Sequence, residues 1–389
     1  MRKNVGSLTA QERSRFIAAV LALKKTPSVL TPGQPGSNRY DDFVAVHVQA
    51  MPRDQSHHVM TAHMCAGFLP WHRAFLLEFE HALQAIDPSV TIPYWDACDP
   101  TYHPKTSMIW GPDFLGGDGS GERDDPARVT TGPFAGSTGN WIIRVSENPN
   151  TPTYLRRTLG QSRDPQGRTE PLLKKTGETA ILAQPVYDVA PWNDHGPQNP
   201  QADTSFRMAI EYDLHNLVHR WVGGNMRTAA SPNDPVFWLH HCNIDRLWAH
   251  WQLTHRDQAP YLPQEDQDLG LNTLLNFNPM GGTRPWTTDY RPSDLLNPSQ
   301  HAYIYDDLTQ ELMVPVMVAL TRSSKRLTFF QPTPPTAVRQ PGRRRASPPT
   351  KKTRTTRAEH ARTKAKPTAR KKRPLRTTQS NAIKKKPKS

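Results

Sequence analysis

Six histidines, arranged as two sets of three, constrain this 389-residue chain more than any other feature of its sequence. In the second set, His215 and His219 are four residues apart, so on a helix they share one face and can converge on one metal ion. His241 follows 22 residues after His219. It lies on a second predicted helix, for which Asp234 is a suitable N-cap and Pro235 a suitable first residue. These spacings predict a metal site between two helices.

Two neighbours of His241 bear on this site. Asp245 lies one turn later on the same predicted helix face. A carboxylate there can fix the tautomer and orientation of a ligating imidazole, so the sequence predicts that Asp245 orients His241. His240 points about 100° away from His241 on a helix, so only one of the two can face the metal. The spacing selects His241.

The first set consists of His47, His63 and His72, with spacings of 16 and 9 residues. A spacing of 9 would place His63 and His72 on opposite faces of one helix. Gly67 and Pro70 interrupt the chain between them, and a new helix is predicted from about residue 71 to 86. His47 lies on a predicted helix of its own, residues 40–51.

An all-imidazole donor set narrows the choice of metal. Neutral imidazole suits zinc, copper, iron and nickel. Structural zinc sites usually contain thiolates, and Cys65, Cys98 and Cys242 lack the required spacing. Three imidazoles without a carboxylate argue against a non-haem iron facial triad. From chemistry alone, a dicopper site that binds dioxygen ranks first and a dizinc hydrolase second.

The spacing His47-x15-His63-x8-His72 with His215-x3-His219-x21-His241 resembles the two copper sites, CuA and CuB, of bacterial tyrosinases. The segments YDDFVAVH, FLPWHRAFLLEFE, PYWD, LHNLVHRWVGG and DPVFWLHHCNIDRLW are similar to tyrosinase segments. The resemblance covers roughly residues 1–320. It implies a mainly α fold in which a four-helix bundle holds two copper ions. The first set would bind CuA and the second set CuB, with O2 as co-substrate.

The resemblance also implies an activity and residues that carry it. Tyrosinases ortho-hydroxylate small monophenols and oxidise o-diphenols to o-quinones, the chemistry of melanin biosynthesis. In this family a Glu and an Asn after the first CuB histidine hold a water that takes the phenol proton, which implies Glu211 and Asn216. Many members have more residues between that Glu and the histidine. Arg220 matches a position that guides substrate, and the small Ala229 and Ala230 favour an open pocket.

Three alternatives remain open from the sequence. A catechol oxidase or an o-aminophenol oxidase would use the same fold without hydroxylating monophenols. An oxygen carrier of the haemocyanin type would bind O2 without turnover, although the single-domain length and the open pocket count against it. A polyanion-binding protein would act through the basic C-terminal segment.

Charge is concentrated at the C-terminus. Of the 49 Lys and Arg residues, 20 lie in residues 339–389 beside one acidic residue, which leaves 29 basic and 34 acidic residues, a net −5, in 1–338. We expect a catalytic domain at 1–335 and a disordered Lys/Arg/Pro-rich tail at 336–389, because the tail has too few large apolar residues to offset its conformational entropy. Such a tail either aids solubility or binds a polyanion such as nucleic acid.

The remaining sequence is irregular between the metal helices. Residues 100–200 are rich in Gly, Pro, Asp and Thr, and predict a long connection with short helices at 152–160 and 178–183. No run of 18 apolar residues predicts a membrane span. The N-terminus does not resemble a secretory signal, so a cytoplasmic enzyme is expected, with export by a helper protein left open. The physiological phenol and the oligomeric state are not predicted.

Overall fold

The computed structural model describes residues 1–51, 61–148, 150–193, 205–278 and 283–308. In these ranges six helices follow one another: α1 Ala10–Leu23, α2 Arg39–Ala50, α3 Phe68–Gln84, α4 Lys175–Leu182, α5 from Phe206 to Val222, and α6 Val236–Thr254. Short 3₁₀ turns lie at Val5–Ser7, Pro100–Tyr102, Met108–Trp110, Gly136–Thr138, Gly224–Arg227, Ser231–Asn233, Pro292–Leu295 and Pro298–His301. β-Structure in the described ranges is limited to isolated bridges, so the predicted mainly α fold is confirmed.

The chain divides into two compact units, Met1–Thr328 and Phe329–Ser389. The second unit, which contains the whole basic tail, lies outside the described residues. The boundary expected at residue 335 and the expected disorder after it therefore stay predictions. No helix in the described ranges is long and apolar enough to cross a bilayer.

The helix starts follow from local chemistry. Thr9 and Glu12 form a reciprocal capping box at the start of α1, which satisfies two backbone N–H groups that the helix itself cannot. Asn38 caps α2 by accepting from the Asp41 N–H. Helix α3 begins at Phe68, three residues earlier than expected. Pro70 is tolerated there because the first turn does not use its missing N–H.

Helices α3 and α6 pack against each other through aromatic side chains. The rings of Phe79 and Trp238 stack at 3.5 Å between centroids and 1° between planes. Phe75 lies 5.0 Å from the same indole, and Phe43 of α2 lies 5.9 Å from it. All four side chains are buried. Removing each from water stabilises the fold by about 1.5–3 kcal/mol, and the cluster fixes the distance between the helices that carry the histidines.

Two short helices were expected in the connection formed by residues 100–200, and the structure confirms one of them. The helix expected near 178–183 is α4, but the helix expected at 152–160 is wrong. Arg156 instead forms an antiparallel bridge with Arg128. The Leu155 carbonyl accepts from the Val129 N–H at 2.9 Å, and Arg157 donates to the Ala127 carbonyl at 2.8 Å. Backbone groups that would close helical turns are thus used by a neighbouring segment.

Asp245 does not orient His241, and that prediction is wrong. One carboxylate oxygen accepts from Arg73 Nε, and the other accepts from Arg2 at 3.2 Å, Tyr303 at 2.8 Å and Tyr305. Burial alone would raise the pKa of Asp245, but Arg73 and Arg2 hold it below its usual value. Two buried guanidinium groups attract the carboxylate more strongly than a neutral imidazole would.

The Arg73–Asp245 pair has a different function. Arg73 directly follows His72 on α3, and Asp245 lies one turn after His241 on α6. The ion pair is fully buried, so it ties together two helices at the level of the histidines. Arg2 adds Glu80 of α3 to the same cluster at 3.0 Å. The network sets how α3 and α6 meet.

Replacing Asp245 with Asn is expected to lower the free energy of unfolding by about 3–5 kcal/mol, because Arg2 and Arg73 would remain buried without this counter-charge. Guanidinium chloride unfolding measures the change. The matched control is Asp113→Asn, because the Asp113 side chain is 70% exposed and lies 3.7 Å from Arg13. That variant should change stability by at most about 0.5 kcal/mol. Equal losses in both variants would contradict the assigned function of the network.

Candidate metal centre

The fold brings both histidine sets together in its interior. His47 lies on α2, His72 on α3, and His241 on α6, while α5 carries His215 and His219. His63 lies on the irregular segment before α3. Ring centroids within a set are close: 4.8 Å for His63 and His72, 5.3 Å for His47 and His63, 4.5 Å for His215 and His219, and 4.8 Å for His215 and His241.

The two sets are adjacent to each other. The rings of His72 and His241 stack at 4.2 Å with 20° between their planes. The rings of His63 and His215 lie 5.3 Å apart. The sequence predicts two metal sites next to each other, and the structure places the residues of both sites around one region.

Helix α5 is widened where it enters this region. Phe206–Ala209 and Asn216–Val222 are α-helical, but Ile210–His215 between them forms a π-helix. A π turn inside an α-helix is rare and frequently marks a functional site. Glu211 and His215 lie at the two ends of this widened turn, and both face the same cavity.

Hydrogen bonds fix the tautomer of four imidazoles. In each case Nδ1 lies beside an oxygen: His47 beside Ala229 O at 2.6 Å, His72 beside Phe68 O at 2.9 Å, His219 beside Met226 O at 2.7 Å, and His215 beside Asn216 Oδ1 at 3.1 Å. A carbonyl oxygen accepts only, so the Nδ1 atoms must carry the proton. In a neutral imidazole the Nε2 atom then has a free lone pair, which is the form that binds a metal.

The Nε2 atoms of both sets converge. His47 Nε2 and His63 Nε2 are 3.2 Å apart, and His219 Nε2 and His241 Nε2 are 3.3 Å apart. His72 Nε2 and His215 Nε2 are buried without a hydrogen-bond partner in the described part of the chain. The converging nitrogens and the unsatisfied buried Nε2 atoms of His72 and His215 are suited to hold cations between them. The donor set fits two imidazole-bound metal ions, and copper suits imidazole ligands.

Burial keeps all six imidazoles neutral. Desolvation lowers the pKa of His63 to about 3 and that of His219 to about 4. Desolvation also places the pKa of the other four well below the usual value. Metal ions bind deprotonated ligands, so the histidines need not release protons at neutral pH before they bind.

A fourth imidazole lies beside the second set. His240 is fully buried, with its ring 5.3 Å from that of His215 and 5.2 Å from that of His219. Its nitrogens lie close enough to join His215, His219 and His241 as donors. Sequence reasoning expected His240 to point away, and it missed this proximity. The choice of His241 as third ligand stays a prediction, supported by its Nε2 contact with His219.

Glu211 lines the cavity that leads to the histidines, and its function there stays a prediction. A cavity of about 360 Å³ reaches the histidines and is lined by Glu211 and Asn216. Glu211 Oε1 accepts from the Met64 N–H at 2.8 Å and lies 3.5 Å from His63 Nδ1, while Oε2 accepts from Arg207 at 3.2 Å. Burial raises the pKa of Glu211, and Arg207 opposes that rise. The Glu211 carboxylate therefore lies beside the Nδ1 atom of His63 in the wall of the cavity.

Arg220 lines the same cavity, but its guanidinium group is engaged. Nε donates to Glu170 Oε2 at 3.1 Å and Nη2 donates to Oε1 at 3.0 Å. Arg220 lowers the pKa of Glu170 and keeps it ionised. The expected substrate-guiding function of Arg220 would require breaking this bidentate pair. Ala229 lines the cavity as a small residue, in agreement with the open pocket expected from the sequence.

We expect His241→Gln to lower the copper content of the reconstituted protein from about two to about one ion per chain, because one set loses its third imidazole. Metal analysis by mass spectrometry after removal of free copper gives the count. The matched variant is His240→Gln, which alters the adjacent buried imidazole and should keep both ions. Circular dichroism confirms folding in each case. Loss of copper from the His240 variant alone would assign the ligand to His240.

Comparison with known proteins identifies the family. Residues 37–254 match the family model described as the common central domain of tyrosinase. The chain is 43% identical over 311 residues to the tyrosinase of Streptomyces antibioticus, which covers 79% of this chain and 99% of that protein. It is 39% identical over 336 residues to the grixazone synthase of Streptomyces griseus, and this alignment covers 79% of this chain and 99% of that protein.

A solved polyphenol oxidase from Thermothelomyces thermophila superposes with a TM-score of 0.55, at 24% identity, over 78% of this chain and 87% of that one. This likeness supports the fold alone. The family-model match includes both histidine sets, and the alignments with the two bacterial relatives cover 99% of each relative. These matches show the family. The chain belongs to the tyrosinase family, and it is a type 3 dicopper oxidase that uses O2.

Proposed function

We propose that this oxidase ortho-hydroxylates small monophenols and also oxidises o-diphenols to o-quinones. The observation that carries the proposal is the open cavity of about 360 Å³ that reaches the histidines. The loop after α5 contributes the small Ala229 to its wall, and Tyr212 of α5 is the large aromatic side chain among its described lining residues. A phenol ring therefore has room to approach the metal site edge-on.

Copper bound by the six histidines would supply the binding and activation of O2. The side chains around it provide for proton transfer. A phenol has a pKa near 10, so hydroxylation at neutral pH requires a group that takes its proton. We assign this function to a water held by Asn216 and Glu211, which line the cavity together. Asn216 uses Oδ1 for His215, which leaves its amide N–H groups for the water.

Glu211 can take part although both of its oxygens already accept hydrogen bonds. A carboxylate has about four lone-pair positions, and Met64 and Arg207 use two of them. The short spacing between Glu211 and His215 is spanned by the π turn, so both residues reach one cavity. Relatives named tyrosinase support phenols as the substrate class, whereas a relative named grixazone synthase leaves open which phenol is used.

Oxygen consumption by the copper-loaded protein tests the proposal. Uptake is measured with tyramine or tyrosine, and separately with catechol or L-DOPA, while quinone absorbance is followed. Uptake with both classes supports the proposal. Uptake with the diphenols alone would make the protein a catechol oxidase or, if o-aminophenol is also consumed, an o-aminophenol oxidase. Reversible O2 binding without any turnover would favour oxygen carriage.

Asn216→Asp tests the function of the amide. Aspartate keeps an oxygen for His215 Nδ1 but replaces the donor group with an acceptor. We expect the monophenol rate, divided by the diphenol rate, to fall about tenfold or more. Copper content should stay at about two ions per chain, which separates this effect from loss of metal. A parallel fall in both rates would contradict the assignment.

The basic segment suggests a second function that is independent of the metal centre. We propose that residues 339–389, with 20 Lys and Arg and one acidic residue, bind a polyanion such as duplex DNA. Such binding is driven by counterion release, so affinity should fall about tenfold or more between 50 and 200 mM salt. Fluorescence anisotropy with labelled DNA measures it. The chain ending at residue 335 should lose binding but keep oxidase turnover, and binding that survives truncation would contradict the proposal.

A further inference from the structure

One glutamate and two arginines line the cavity above the metal centre, and they differ in how far their charge is compensated. They are Glu211, Arg220 and Arg227. The Glu211 carboxylate is buried against Arg207, which lies 3.2 Å away. Arg207 also pairs with Asp188 at 2.9 Å, so it compensates the Glu211 charge in part. The carboxylate is buried beside His63, whereas the opening of the cavity is exposed to solvent.

Arg220 is also compensated. Its two hydrogen bonds to Glu170, at 3.1 and 3.0 Å, form a bidentate pair in which both charges are used. Ser162 donates a further hydrogen bond to the same carboxylate. The pair presents a nearly neutral surface to an approaching substrate.

Arg227 differs from both, because it has no ionic partner among the described residues. It is exposed and lines the cavity, and its guanidinium group forms no ion pair or hydrogen bond with the residues that the structure describes. The acidic residue that contacts the same loop is Glu147, which accepts from the Ala229 N–H at 2.8 Å but does not pair with Arg227. Sequence reasoning assigned the guiding arginine to position 220 and missed position 227.

The backbone that carries Arg227 is held rigidly against the metal ligands. Met226 O accepts from His219 Nδ1 at 2.7 Å, and Ala229 O accepts from His47 Nδ1 at 2.6 Å. Arg227 and Thr228 lie between these two anchors, so the segment bridges the two histidine sets.

The turn before this segment is fixed as well. Gly224 has φ of +53°, and a Cβ there would lie 1.9 Å from the Arg156 carbonyl oxygen, so only glycine fits. The Asn225 N–H donates to that carbonyl at 3.1 Å. Because these contacts hold the loop in position, the Cα atom of Arg227 stays at the opening of the cavity.

We propose that Arg227 makes the enzyme prefer phenols and catechols that carry a carboxylate on the substituent para to the reacting oxygen. This inference rests on the proposed function, because it assumes that the ring hydroxyl enters toward the histidines. The para substituent then points back toward the opening, where Arg227 supplies an uncompensated positive charge. A cationic substituent in the same place would be disfavoured.

Arg227→Gln tests the proposal in the copper-loaded full chain. The substrates are three catechols that differ in charge: 3-(3,4-dihydroxyphenyl)propionate, 4-methylcatechol and dopamine. We expect kcat/KM for the anion, divided by that for 4-methylcatechol, to fall about two- to fivefold, the range for an exposed charge pair. The same ratio for dopamine should stay constant or rise. The change should lie in KM, and the anion preference of the unaltered enzyme should shrink in about 0.5 M salt.

Two matched variants complete the design. Arg227→Lys keeps the charge and should keep the preference, while Arg123→Gln removes an exposed charge that does not line the cavity. Equal falls for all three catechols would indicate a structural effect and overturn the proposal, as would an unchanged anion ratio. If the unaltered enzyme oxidises none of the catechols, the proposed function fails instead, and the two failures are thereby distinguished.

Discussion

The hydrogen bonds at the Nδ1 atoms of the imidazoles are the interactions on which the metal centre depends. A free histidine side chain rotates and exchanges its proton between two nitrogens. Such a side chain does not present a lone pair in a fixed direction, which a preformed metal site requires. Here four Nδ1 atoms donate to oxygens at 2.6–3.1 Å, three of them backbone carbonyls. A backbone carbonyl cannot be moved without moving the chain, so the direction of each free lone pair is set by the fold itself.

This arrangement connects the metal centre to distant parts of the chain. The loop after α5 supplies two of the acceptors, and its glycine-dependent turn is fixed by the segment around Arg156. The ion network around Asp245 joins α3 to α6 and adds the N-terminal segment through Arg2. Burying polar imidazoles and an ion network in an apolar interior costs free energy. The aromatic packing between the helices stabilises the fold and offsets this cost.

Sequence reasoning predicted the helices that carry the histidines, the presence of two histidine clusters and the family. It could do so because helix periodicity and caps are local signals, and because the spacing of the histidines is distinctive. It failed for Asp245, since position on a helix face says nothing about Arg2 and Arg73, which approach from elsewhere. It also missed His240 beside the second set, and it assigned substrate guidance to Arg220 without seeing Glu170 as its partner. Such non-local contacts, and the backbone carbonyls of Met226 and Ala229, leave no residue-type signal.

The fold selects the Nδ1–H tautomer at four histidines and thereby directs their Nε2 lone pairs toward the metals. A long-range ¹H–¹⁵N correlation spectrum of the histidine side chains in the metal-free protein tests it most directly. We expect neutral Nδ1–H tautomers for His47, His72, His215 and His219 at neutral pH, whereas free histidine prefers Nε2–H. Spectra that show Nε2–H tautomers or charged imidazolium at these four positions would contradict the claim, because the metals would then have to rearrange the site when they bind.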